Sequence, residues 1–214
     1  MYMLEILYLF CNSQKLFRFI KKLYIWLPKS AGMTTEEIIK ICSGDLSVNF
    51  ASRLAGEILS APHGMEKLWY VHKNYREMQL PRAVKDKIAF RSSYILERIY
   101  FGNREAFRPY LKEFFLLFPG VENGSSRRHY VKMGESIIAS GLYIPDNPYE
   151  ICVACLDWIT DKKSRPAIVI WAVDILFLLR NRVPEIGEIL PDIVEQLRQN
   201  PLPSIQCRVK RWLK

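Results

Sequence analysis

Glycine, strand-forming patterns and long apolar runs are all scarce in this chain of 214 residues. Alternating Val, Ile and Thr residues of the kind that form strands are nearly absent, which argues against a β-sheet protein. The longest apolar run, residues 167–179, is interrupted by Asp174 and closed by Arg180. It therefore falls short of the roughly 20 residues that span a bilayer. We predict an all-α protein in which residues 167–179 form a core helix.

Sequence motifs of catalysis and metal binding are also missing. No Walker loop, G-x-G-x-x-G or G-x-S-x-G occurs, and the histidines His63, His72 and His129 lack the paired spacing of metal ligands. Cys152 and Cys155 form a C-x-x-C pair, but they fall past the first turn of a predicted helix, and no second ligand pair accompanies them. We predict that both are buried structural thiols, with no metal, no cofactor and no catalytic residue.

The net charge of the chain bears on its binding partners, and its cysteine usage bears on its cellular compartment. The formal net charge is +9, but residues 1–33 hold five basic residues against one acid, which leaves +5 for the rest of the chain. That modest excess is weak support for nucleic acid as a partner. The five cysteines are odd in number and mostly lie in apolar runs. This usage favours reduced thiols, and hence a cytoplasmic protein.

The segment 1–27 has the pattern of a basic amphipathic helix. Its positive charges follow the apolar stretch, which is the reverse of a secretory signal. Three readings stay open: an extra helix packed on the domain, an anchor on an anionic membrane surface, or an upstream extension with translation beginning at Met33. Thr34 and Glu37 have capping-box spacing just after Met33. We predict two segments, the N-terminal helix in 1–32 and a helical domain in 33–214.

Residues 86–118 give the clearest helical pattern. They predict a helical hairpin, with apolar stripes of period 3.6 in two consecutive runs: Ile88, Ser92, Ile95 and Ile99 in the first, and Phe107, Leu111, Phe114, Phe115 and Phe118 in the second. Further helices are predicted at 48–60, 62–79, 125–140, 147–159, 166–180, 184–198 and after Pro203. The short loops between them imply antiparallel neighbours.

Alternate helices share a small residue followed by apolar residues three and seven positions later. The small residues are Ala51, Ser92, Gly134 and Ala172, so the pattern recurs at intervals close to 40 positions. Such a recurrence is the period of two-helix HEAT and armadillo units, in which each unit buries its apolar face on the next. We therefore predict a right-handed α-α superhelix of about four HEAT-like hairpins.

The chain resembles small bacterial HEAT-like, armadillo-type α-solenoid proteins of unassigned function. The resemblance rests on the segment 89–97 (AFRSSYILE), the proline-opened helix 166–180 and the basic tail 204–214, and it covers about 33–214. It implies a protein-interaction scaffold. One branch of HEAT-like proteins consists of DNA glycosylases, but no glycosylase motif maps onto these residues.

The ridge beside each apolar stripe is the predicted partner-binding side. It comprises Phe50, Arg53, Glu57, Arg91, Tyr94, Arg98, Met133, Ser136, Ser140, Trp171, Asp174 and Leu178. This mixture suits a protein or peptide better than a DNA track, which would present Lys or Arg in most repeats. The predicted partner-binding residues are Arg91, Tyr94, Arg98, Trp171 and Asp174.

Two charged features have a structural interpretation beside the functional one. Asp174, inside an apolar helix, is expected either to reach the ridge or to bond an arginine from neighbouring repeats, because a lone buried charge is costly. Arg127, Arg128 and His129 with Lys132 are interpreted as a solvated loop rather than a phosphate site. The sequence thus predicts a non-enzymatic adaptor, with a nucleic-acid binder or glycosylase-like protein, and a membrane-surface protein, as the alternatives.

Overall fold

A computed structural model describes residues 33–44 and 49–213. Contacts within the chain divide it into Met1–Gly32 and Met33–Lys214. The predicted basic helix of segment 1–27 lies outside the described residues. Throughout the described ranges the regular structure is helical, with no strand, so the all-α prediction is confirmed. No helix in these ranges is both long enough and apolar enough to cross a membrane.

The helices follow one another through short connections. They are α1 (Thr35–Ser43), α2 (Phe50–Ser60), α3 (Gly64–Asn74), α4 (Arg82–Gly102), α5 (Arg104–Phe107), α6 (Leu111–Leu117), α7 (Gly124–Ala139), α8 (Pro148–Thr160), α9 (Pro166–Leu179), α10 (Pro184–Arg198) and α11 (Pro203–Trp212). The 3₁₀ turns Arg108–Tyr110 and Phe118–Gly120 flank α6. Proline occupies the first helical position of α8, α9, α10 and α11, where its missing N–H costs nothing.

The predicted capping box at the start of α1 is present. The Thr34 hydroxyl accepts from the Glu37 backbone N–H at 3.1 Å, and the Glu37 carboxylate accepts from the Thr34 N–H at 2.8 Å. Two helix N–H groups that would otherwise lack partners are thereby satisfied.

The prediction that the second helix of the hairpin is one continuous element is wrong. The run from Phe107 to Phe118 is divided by the 3₁₀ turn Arg108–Tyr110, which contains Pro109. Proline has no N–H for the carbonyl four residues earlier and disfavours the α conformation in the residue before it. The chain therefore bends at Pro109, while the aromatic side chains Phe107, Phe114 and Phe118 all remain buried.

Four helices form a row in the order α2, α4, α7, α9, each packed on the next. The four small residues of the repeat pattern are buried in this row. A Cβ added to Gly134 in α7 would lie 3.0 Å from Phe118 and 3.5 Å from Ile175 of α9. Glycine at this position therefore permits close packing, as the pattern predicted.

The two cysteines of the C-x-x-C pair lie inside this fold. Cys152 and Cys155 are both buried in α8. Burial raises the pKa of the Cys152 thiol to about 12 and that of Cys155 well above its usual value. Their predicted burial is confirmed. Both thiols stay protonated at neutral pH, and a protonated thiol is a poor nucleophile.

Candidate protein-binding surface

Arg98 on α4 lines a surface groove of about 430 Å³ between α2 and α4, hereafter the α2–α4 groove, and Tyr94 lies one turn earlier on the same helix. Its lining residues are Ser52, Ala55, Gly56, Leu59, Arg98, Phe101 and Gly102. Leu59 and Phe101 are partly exposed, at 38% and 43%. The small residues of α2 leave space between these two apolar side chains. The groove thus offers a concave apolar surface with a cation beside it.

Arg98 is held in place by Tyr94 and has no acidic partner in the described ranges. Its guanidinium donates to the Tyr94 hydroxyl at 2.9 Å and lies 5.1 Å from the centre of that ring. No carboxylate of the described residues lies within 4 Å of Arg98. A positive charge that is both positioned and unpaired can bind an incoming carboxylate with little loss of side-chain entropy.

A buried acid lies directly behind this edge of α4. Glu97 accepts hydrogen bonds from the His129 imidazole and, at 2.6 Å, from Lys132, both on α7. Burial alone would raise the pKa of Glu97, but the hydrogen bonds and charges of His129 and Lys132 outweigh it, and the pKa is lowered. Glu97 is therefore ionised at neutral pH and links α4 to α7.

Aromatic rings extend the same surface from α4 to α7. The His129 ring stacks on Tyr94 with centroids 4.9 Å apart, and the Lys132 ammonium lies 4.6 Å from the centre of the Phe101 ring. The stack holds Tyr94 between α4 and α7, and Tyr94 in turn positions Arg98. The buried acid, the histidine and the exposed arginine therefore form one connected structure.

The interpretation of residues 127–129 as a solvated loop is wrong. They belong to α7, whose first turn is capped by Asn123 accepting from the Ser125 and Ser126 N–H groups. His129 is buried against Glu97, and Arg127 pairs with Asp161 at 3.0 Å. The helix predicted at 125–140 begins one residue after the observed Gly124, so the mistake lies in the exposed turn expected around Asn123, which is instead the N-cap of α7.

Arg91 departs from its predicted place on the ridge. Its side chain is buried and donates to the backbone carbonyls of Cys42, at 3.0 Å, and Gly44. These carbonyls are at the C-terminal end of α1, where helix carbonyls lack intrahelical donors and the dipole favours a cation. Arg91 thus joins α4 to α1 and is not accessible to a partner.

Asp174 and Trp171 lie apart from the α2–α4 groove. Asp174 accepts two hydrogen bonds from Arg208 and one from the Trp212 indole at 2.8 Å, so it bonds an arginine, which was one of its two predicted outcomes. Trp171 is partly buried against the main core. No hydrogen bond, ion pair or ring contact between described residues joins these two to Tyr94 or Arg98. The structure therefore brings together Tyr94 and Arg98 only.

The contact between Glu97 and His129 was not predicted, because the two residues are far apart in the sequence and come from different helices. One signal was available. Glu97 lies four residues after Ser93 and three before Tyr100, both buried on the same face of α4. A carboxylate on a buried helix face needs a hydrogen-bonded cation, which pointed to a partner elsewhere in the chain.

Across the described ranges, no three His, Cys, Asp or Glu side chains come together as a metal site would require. The chain matches no protein-family model, and neither the curated proteins nor the solved structures contain a significant match to it. Function must therefore be argued from the geometry of the α2–α4 groove and its surroundings.

Proposed function

We propose that this protein is a non-enzymatic adaptor that binds a partner protein in the α2–α4 groove. The observation that carries the proposal is the combination of Leu59 and Phe101, two partly exposed apolar side chains, with Arg98, whose charge has no acidic partner in the described ranges. Aromatic and arginine side chains in a concave site are the residues that most often dominate protein interfaces.

The arrangement of the helices supports a HEAT-like repeat protein within the same proposal. The row α2, α4, α7, α9 follows chain order, and its small residues recur about every 40 positions along the sequence, as in two-helix solenoids. We assign the row to one side of a right-handed α-α superhelix. The resemblance to bacterial HEAT-like proteins agrees with this assignment. The odd cysteine count and the buried thiols favour a reducing compartment, so a cytoplasmic location belongs to the proposal.

The chemistry of the groove defines the partner segment. Leu59 and Phe101 would hold a leucine or an aromatic side chain, and Arg98 would pair with an Asp or Glu nearby on the same segment. Lys132, beside Phe101, is already paired with Glu97 and therefore attracts an acid of the partner segment less strongly than Arg98 does. We therefore expect a short acidic segment with one large apolar anchor.

A peptide-display selection on the purified full chain tests this expectation. Enriched peptides should combine an aromatic or leucine residue with one or two acids. The variants Arg98→Gln and Phe101→Ala should each weaken binding of an enriched peptide by about tenfold or more. Binding is measured by fluorescence anisotropy.

Two variants serve as matched controls. Arg104→Gln removes another exposed arginine that lies over a tyrosine, 5.5 Å from the Tyr100 ring centre. Tyr149→Ala removes another exposed aromatic side chain, on α8. Both should leave peptide affinity unchanged. Peptides that lack acids, or that bind Arg98→Gln and Phe101→Ala as tightly as the wild type, would contradict the proposal.

Nucleic acid is the rival partner, and pairing of the nearby basic residues weighs against it. Arg53 lies 3.8 Å from Glu57, and Lys132 contacts Glu97, so acids partly neutralise this surface. Titration with duplex DNA at two salt concentrations distinguishes the two partners. Affinity that falls steeply with salt, and that charge-reversing Arg98 abolishes, would replace the adaptor proposal with a phosphate-binding one. The membrane-surface alternative concerns segment 1–27 and stays a prediction.

A further inference from the structure

A second cavity, distinct from the α2–α4 groove, lies between α3, α6 and α7. It is a cleft of about 170 Å³. Ala89 of α4 lines it, nine residues before the groove residue Arg98 and therefore about 180° around the helix from the groove side. One part of its wall is apolar, with Ala89, Leu117 and Val121, and the other part is polar, with Arg76, Ser126 and Tyr130.

The polar wall has a hydrogen-bonded relay behind it. His72 is buried, with Nδ1 2.8 Å from the Ser92 hydroxyl and Nε2 2.6 Å from the Tyr130 hydroxyl. Ser92 has one hydroxyl hydrogen, and the Ile88 carbonyl lies 2.6 Å from its oxygen. That hydrogen goes to Ile88, so His72 Nδ1–H donates to Ser92, and Nε2 accepts from Tyr130.

Burial fixes the protonation states in this relay. It lowers the pKa of His72 to about 4 and raises the pKa of Tyr130 far above its usual value. At neutral pH the imidazole is uncharged, and Tyr130 keeps its proton and commits it to His72. The lone pairs on the Tyr130 oxygen that are not used can then accept a hydrogen bond. At this point of the polar wall the Tyr130 hydroxyl therefore selects for a hydrogen-bond donor.

Arg76 provides a cation at the same cleft. Its Nε donates to the Tyr75 hydroxyl at 3.2 Å and one terminal nitrogen donates to the Gly120 carbonyl. The other terminal nitrogen is 3.6 Å from Glu122, whose side chain is 84% exposed, so that solvent weakens this ion pair. The Arg76 guanidinium is thus held along one edge and can exchange a solvated acid for a ligand. A neighbouring cavity that shares Tyr75 and Arg76 is lined by two more cations, Arg82 and Lys85, and by two acids, Asp86 and Glu122, so Arg76 is the cation on which the proposed cleft depends.

We propose that this cleft binds a small organic acid with an aromatic or compact apolar body. Its carboxylate pairs with Arg76, its body packs on Leu117 and Val121, and a hydroxyl or amine at its far end donates to Tyr130. An engineered cavity of about 150 Å³ holds benzene, so the 170 Å³ cleft has room for one six-membered ring with its carboxylate at the mouth.

The test uses 4-hydroxybenzoate and 4-fluorobenzoate as probes, with 4-hydroxybenzyl alcohol as the uncharged analogue. Fluorine resembles hydroxyl in size but cannot donate. Isothermal titration and ligand-observed NMR on the full chain should show binding of 4-hydroxybenzoate, about tenfold weaker binding of 4-fluorobenzoate and weaker binding still of the alcohol. If 4-hydroxybenzoate does not bind, or binds no better than the alcohol, the proposal is wrong.

Three variants locate the bound acid. Arg76→Gln should weaken the binding of 4-hydroxybenzoate by about tenfold or more. Tyr130→Phe should remove the preference for 4-hydroxybenzoate over 4-fluorobenzoate. Val121→Phe should block both acids by filling the cleft without changing its charge. If these variants bind like the wild type, the acid does not occupy the cleft and the proposal fails.

Two matched controls complete the design. Tyr100→Phe removes another buried tyrosine hydroxyl, which lies 3.0 Å from Ser136. Arg98→Gln removes a tyrosine-bound arginine from the α2–α4 groove. Both should bind the acid as the wild type does, and thermal melting should verify that each variant is folded. Loss of binding in Arg98→Gln would assign the acid to the groove and overturn the proposal.

Discussion

The interface between α4 and α7 and the interface between α7 and α9 use the same central helix with different chemistry. Toward α4, the side chains of α7 make hydrogen bonds: His129 and Lys132 to Glu97, and Ser136 to Tyr100 at 3.0 Å. Toward α9, Gly134 meets Ile175, and no side-chain hydrogen bond or ion pair joins α7 to α9 in the described residues. One side of the row is polar and directional, and the other is apolar and close-packed.

The α7–α9 interface contributes mainly to stability, whereas the α4–α7 interface contributes mainly to the specificity of helix packing. Apolar burial is non-directional and scales with area, so the α7–α9 interface needs only shape and volume. Buried polar groups are favourable only when each finds its partner, so the α4–α7 interface fixes the register of two helices and positions Tyr94 and Arg98. Both interfaces contain a titrating carboxyl: the hydrogen bonds of His129 and Lys132 lower the pKa of Glu97 toward α4, whereas burial and the charge of Asp174 raise the pKa of Glu135 toward α9.

The largest expected effect is on the apolar side. Ile175→Ala should lower the free energy of unfolding by about 3 kcal/mol, because Ile175 is fully buried and its truncation leaves a cavity. Urea denaturation at pH 8 and pH 5 measures this loss, which should be the same at both values. A loss that changes with pH would show that the packing of Ile175 is coupled to a titrating group, contrary to this expectation.

The next largest expected effect is a pH dependence of the free energy of unfolding, which arises on the polar side between α4 and α7. His72 bonds both Ser92 of α4 and Tyr130 of α7, and its pKa is about 4 in the folded chain against an ordinary value of 6.5. The unfolded chain therefore binds a proton there before the folded chain does as pH falls, and stability is lost from pH 6.5 down to 4, on the order of 3 kcal/mol at most.

The variant His72→Gln should flatten this pH dependence, with surface His63→Gln as its matched control. Denaturation at half-unit pH steps gives the slope. A slope changed equally in both variants would contradict the assignment to His72. Below pH 4.5, the ordinary value for Glu97, protonation of that carboxyl removes a further stabilising contribution, because its folded pKa is lowered.

The smallest effect compares two helical glycines. Gly134→Ala should destabilise the chain by about 1 to 2 kcal/mol, since the new Cβ would meet Phe118 at 3.0 Å. Gly56→Ala on α2 has open space around its Cβ and should stabilise by about 0.5 to 1 kcal/mol through helix propensity. Thermal melting of both variants checks the sign. A stabilising effect of Gly134→Ala would show that α7 does not pack as closely on Phe118 as described.

Local patterns were the most predictable part of the fold. The bounds of α9 and α10 agree with prediction within one residue, because proline and apolar periodicity act within a few residues of sequence. The break at Pro109 was predictable on the same grounds and was overlooked. A bond to an arginine was one of the two outcomes predicted for Asp174, but which outcome occurs, and the identity of the partner as Arg208 on the last helix, required the tertiary structure.

Periodicity placed Arg91 and Arg98, two turns apart, on one ridge of α4. The structure gave them opposite environments, since Arg91 is covered by the end of α1 and Arg98 borders an open groove. Helical period sets only the direction of a side chain from its own axis. Which neighbour lies in that direction is a property of the packed chain.

The sequence alone determined that this protein is helical, where the helices from α7 onward begin, and that Gly134 permits close packing. These features depend on backbone chemistry and on the spacing of neighbours along the chain. Only the tertiary structure decided that Glu97 meets His129, that His72 meets Tyr130, and that Arg98 remains unpaired in the described ranges while Arg91 does not. The physical reason is that a polar contact depends on the positions of two helices to within a fraction of an ångström, and no local sequence pattern contains that information.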